Sequence, residues 1–99
     1  MSEKKIVAAL LQHMIAVCTL GVKTPTLLGQ CLLCCAELSY HSELSHKLTL
    51  QALDAADDAE LPEDLLQKLY DLGHKHLALS YDAKTADAWM RAEYGHWRR

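Results

Sequence analysis

A chain of 99 residues with 51% hydrophobic residues can bury one modest core and is too apolar to stay disordered. Its formal charge of −3 and pI near 6.0 do not suit a nucleic-acid-binding face. Leu and Ala supply 32 residues, Val, Ile and Thr together only 10, and Phe is absent, a balance that favours helices over strands.

The first helix is expected from about Ser2 to Leu20, with Gly21 as its C′ residue. Ile6, Leu10, Met14 and Val17 make one apolar stripe. Val7, Leu11, Ile15 and Cys18 make a second beside it. Two adjacent stripes cover more of the helix than a core contact needs, so this helix is central or meets a partner. The apolar stretch from Ile6 to Leu20, interrupted by Gln12, His13 and Thr19, is read as too short and too polar for a membrane span. It is also read as part of the fold, not a signal peptide.

Thr24-Pro25 predicts the start of a second helix, with Thr as N-cap and Pro at the first helical position. This helix too is apolar nearly all round, Leu28 and Leu32 included. Ser39 to Ser42 is the weak point, where the chain either breaks or bends. A third helix is expected from about Ser42 to Ala59. Leu61-Pro62 ends it, and Pro62 opens a fourth with the stripe Leu65, Leu69, Leu72, His76 and Leu79. A fifth helix is expected from Ser80 or Asp82 to near Trp97, with Ala86, Trp89, Met90 and Trp97 on its apolar side. Short connections imply antiparallel neighbours. The expected fold is all-α: a single helical domain over residues 1–99, built as a four- to five-helix bundle or as stacked helical hairpins.

Residues 54–64 hold six acids, Asp54, Asp57, Asp58, Glu60, Glu63 and Asp64, without the spacing of a calcium loop, and read as a solvated helix end. Cys31, Cys34 and Cys35 fall on nearly one helical face, with Cys18 able to approach across the first hairpin. They are the candidates for a thiol metal site. No second short-spaced ligand pair accompanies them, so they are read first as small hydrophobes with free thiols, fitting a reducing, cytoplasmic setting. No two histidines lie four apart, and there is no nucleophile, phosphate-loop or zinc-protease motif. Neither an enzymatic activity nor a cofactor is expected.

Tyr94, Trp97 and Arg98 belong to residue types that dominate binding hot spots. Trp97, beside a charged terminus, is assigned to a partner contact and Trp89 to the core. Leu69, Leu72, Gly73, Trp89 and Ala92 are spaced as in the paired helices of a tetratricopeptide repeat, which about a quarter of the chain resembles. The pattern is departed from at His76, Thr85 and Trp97, where that repeat has a large residue, a small residue and a proline. The resemblance implies a peptide- or helix-binding groove of the kind found in small chaperones.

Taken together, these residues predict a non-enzymatic protein–protein interaction module, of chaperone, adaptor or inhibitor type, working as a homodimer or subunit. Leu28, Leu32, Tyr94, Trp97 and Arg98 are its expected contact residues, with neither nucleic acid nor membrane as partner. The alternatives are the thiol metal protein and the tetratricopeptide-like chaperone. A small helical enzyme, its carboxylates or histidines converging only in three dimensions, is a third.

Overall fold

The computed structural model describes residues 2–97. Five α-helices follow one another: α1 (Glu3–Gly21), α2 (Pro25–Leu38), α3 (Ser45–Asp58), α4 (Glu63–Ser80) and α5 (Ala83–Tyr94). Short 3₁₀ turns at Ser39–His41 and Gly95–Trp97 complete the chain, and no strand occurs among the described residues. The all-α bundle expected from composition is what the chain forms.

Local chemistry sets the boundaries. The Ser2 hydroxyl accepts the Lys5 N–H at 3.3 Å and caps α1. Thr24 and Pro25 occupy the expected N-cap and first positions of α2, although the Thr24 side chain makes no capping bond. Between α2 and α3 the serines break the chain. Ser39 donates to the Ala36 carbonyl at 2.6 Å, and Ser42 donates to the Ser39 carbonyl at 2.8 Å while accepting the Leu44 N–H at 3.2 Å. These side-chain bonds replace helical ones, so α3 begins at Ser45, three residues later than its apolar spacing suggests. Asp82 accepts the Thr85 N–H at 2.6 Å and starts α5. That helix ends at Tyr94, and the chain reaches Trp97 through the 3₁₀ turn.

Gly21 departs from its expected role. It is the last residue of α1, Val22 is the C-cap, and no described glycine has a positive φ. The α4 stripe is also rotated. Leu65, Leu69, Tyr70, Gly73, His76 and Leu77 are buried, while Leu79 is exposed. Two other glycines permit close packing. A Cβ on Gly29 would lie 2.5 Å from Leu65 Cδ1, and one on Gly73 would lie 2.8 Å from Leu53 Cδ2 and 2.9 Å from Met90 Cε. Their missing side chains let α4 approach α2, α3 and α5.

The helices make a slab. The Cα atoms extend 42 × 35 × 15 Å, a thickness that holds two helix layers about 10 Å apart. The surface of 6073 Å² exceeds the roughly 5,700 Å² typical of a monomer of this mass. In a two-layer slab no helix is surrounded. α1, which packs on α2, α3 and the Ser39–His41 turn, therefore keeps one side open. It is also the helix that revises the reading of residues 6–20 as too short and too polar for a membrane: at 19 residues α1 is long and apolar enough to cross one, by length and composition.

Candidate interaction surface

α1 is apolar on two opposite faces. At about 100° per residue, Ala8, Leu11 and Ile15 point to one side, where they are buried in the core. Ile6, Leu10, Met14, Val17 and Leu20 point to the other and are exposed by 45, 58, 44, 52 and 75%. No Asp, Glu, Lys or Arg occurs between residues 6 and 22, and His13 is the polar side chain within this outer stripe. With side chains of roughly 150–200 Å² each, the five leave on the order of 500 Å² of apolar surface, in the upper part of the roughly 300–600 Å² that the largest patch of a monomer spans.

The contact residues expected from sequence lie elsewhere. Leu28 and Leu32 are buried against the chain's own helices, and Tyr94 and Trp97 close its C-terminal end. Their placement inside the core leaves no free surface for a partner. Arg98 lies outside the described residues. Trp89 and Trp97 exchange their expected roles: Trp89 is 38% exposed and Trp97 7%. The exchange has a chemical cause. Trp97 Nε1–H donates to Asp57 at 2.7 Å, His96 Nε2 lies 2.7 Å from the same Oδ1, and Tyr94 donates its hydroxyl proton to Asp54. Two acids expected at a solvated helix end thus hold the C-terminal turn. The His96 hydrogen bond chiefly, with the Trp97 one, holds the Asp57 carboxyl below its usual range. Burial, with Asp54 beside it, pushes the Tyr94 phenol well above its usual value.

A buried polar cluster sits between α2, α3 and α4. Ser39, Thr49 and His76 are each at most 2% exposed. Thr49 Oγ1 lies 2.6 Å from His76 Nδ1 and 2.8 Å from Ser39 Oγ. Both hydroxyls also reach helix carbonyls, Ser39 to Ala36 at 2.6 Å and Thr49 to Ser45 at 2.9 Å. The two hydroxyls and the ring nitrogen are thus hydrogen-bonded to one another, and the hydroxyls to helix carbonyls. Burial, with Lys75 nearby, lowers the His76 pKa and keeps the ring neutral. The cluster lies inside the core and satisfies a polar seam there.

The cysteines split. Cys35 is buried, Cys34 exposed, and Cys18 and Cys31 half-buried. Burial, with the neighbouring thiols, pushes Cys35 up to about 11, against thiolate formation. Cys18 is raised for the same reason, with Cys31 next to it across the α1–α2 hairpin. Among the described residues no group of three or more His, Cys, Asp or Glu side chains could hold a metal ion, so Cys31, Cys34 and Cys35 do not converge as ligands. Of the tetratricopeptide-like positions, Leu69 and Gly73 are in the core, Leu72 at its edge, and Trp89 and Ala92 outside. No protein-family model, curated protein or solved structure matches the chain.

Proposed function

We propose that this chain is a small, non-enzymatic protein–protein interaction module that acts as a homodimer, with the outer stripe of α1 as its self-association surface. The observation that carries this is the uncharged, exposed row Ile6, Leu10, Met14, Val17 and Leu20, opposite a buried row on the same helix. A second copy supplies the matching chemistry, because a two-fold contact sets the same apolar stripe against itself. About 500 Å² per copy is below the roughly 800 Å² of a standard interface, which fits a modest, reversible dimer. The four free thiols suit a reducing compartment, and we read the module as cytoplasmic. Partner capture of chaperone, adaptor or inhibitor type would follow from exchanging one copy for another apolar helix.

Light scattering after size exclusion, at micromolar concentration, tests this. The wild type is expected as a dimer, and Leu10→Lys as a folded monomer with unchanged helical circular dichroism. A wild-type monomer that does not aggregate would overturn the reading. So would a wild-type protein that co-sediments with lipid vesicles through α1 and stays monomeric in their absence.

A further inference from the structure

We propose that the cavity between α3, α4 and α5 binds a small amphipathic monoanion, with an apolar body of about eight carbons and one carboxylate. This goes beyond self-association, since no α1 residue lines the cavity.

The cavity holds about 390 Å³, within the range of small-ligand sites. Its floor is Leu77 and Ala86, both buried, and Leu50 and the half-exposed Trp89 and Tyr81 form the walls. An apolar body placed there leaves water on most sides. The mouth is cationic. Lys47 and His46 stand in the first turn of α3, where the helix dipole adds to the field of the Lys47 ammonium. No carboxylate lines the cavity, and among the described residues Lys47 forms no ion pair. His46 is held in place by Ser80 Oγ at 3.4 Å and by an edge contact with the Tyr81 ring. The Asp82 carboxylate beside Thr85 is turned to that residue's N–H.

The other end of α3 makes the contrast. A second cavity there, of about 350 Å³, is lined by Asp57, Glu60 and Glu63. Six acids gather over residues 54–64 at that end of α3; at the other end Glu43 precedes the helix, but the cavity itself sets Lys47 over apolar walls with no carboxylate in its lining.

The test is a titration of the full chain, isotope-labelled for NMR, with sodium octanoate and, separately, octylamine. Octanoate is expected to shift the Trp89 indole N–H and the Leu50 and Leu77 methyl signals saturably, with a dissociation constant below about 1 mM. The Leu10 and Met14 methyl signals on α1 are expected to stay still. Octylamine, with the same body and the opposite charge, is expected to bind at least about tenfold more weakly, and Lys47→Glu to weaken octanoate by about tenfold. Lys47 is exposed, so that variant keeps the fold. Equal affinity for octanoate and octylamine would overturn the proposal, as would shifts confined to α1 or the absence of any saturable shift.

Discussion

His76 and Asp57 show how single side chains tie this fold to pH. The two folded-state pKa values are both lowered, and both shifts work in the same direction. Buried His76 resists protonation, while the unfolded chain takes up that proton near the ordinary value of 6.5. Stability therefore falls as pH drops below about 6.5, until the folded ring titrates as well. Asp57 contributes stability that is present above its unfolded value of 3.8 and lost as pH falls toward its lower folded value. Urea denaturation across this range is expected to show two declines, and Asp57→Asn to reduce the lower one, to which Asp82 also contributes through its Thr85 hydrogen bonds. At neutral pH, Asp57→Asn is expected to cost about 0.5–1 kcal/mol, small because a carboxylate more than a third exposed is screened by solvent. Neither role is legible in the sequence. His76 stands out there as a histidine on an apolar stripe, but its Thr49 and Ser39 partners lie 27 and 37 residues away. Asp57 is one of six acids in a run, and only the return of α5 brings Trp97 and His96 to it.

Helices are legible where their signals are local. Thr24-Pro25, Leu61-Pro62 and Asp82 each mark a start within a residue or two, because caps act on neighbouring N–H groups. The rotation of a helix is different. The apolar spacing of α4 points to Leu72 and Leu79, yet Tyr70, Gly73 and Leu77 face the core, because α3 and α5 both press on that side. The two kinds of glycine give opposite predictions. Gly21 ends α1 with helical geometry, and a Cβ added there would meet nothing within 4 Å. Gly21→Ala is therefore expected to stabilise by about 0.5 kcal/mol through helix propensity. At Gly73, where a Cβ would press on fully buried Leu53 and Met90, Gly73→Val is expected to destabilise by about 2–3 kcal/mol through overpacking. Midpoints of urea denaturation measure both. A stabilising Gly73→Val would mean that α4 does not approach α3 and α5 so closely.

At the scale of the molecule, the two-layer slab decides what α1 does. A thicker bundle would have covered both of its apolar faces; a slab covers one. If the second face is covered by another copy, folding and association are linked, and thermal stability depends on protein concentration. Each tenfold rise in concentration is expected to raise the melting temperature by about 3 °C in calorimetry, and Leu10→Lys to abolish that dependence. A wild-type melting temperature independent of concentration would count against the dimer.

Composition, period and contacts a few residues apart are enough to set the helical class, a bundle of four to five helices with most of their starts, and an excess of apolar helix surface over what a small core needs. Which apolar residues are left outside is a matter of packing. Leu28 and Leu32, expected at an interface, are buried; Leu10, Met14 and Val17 stand exposed, although both sets read alike in sequence. An amphipathic pattern names one face by its polarity, and a helix apolar all round names none. The choice of face then falls to the neighbours that pack on it, here α2 and α3 against the Ala8, Leu11 and Ile15 side of α1.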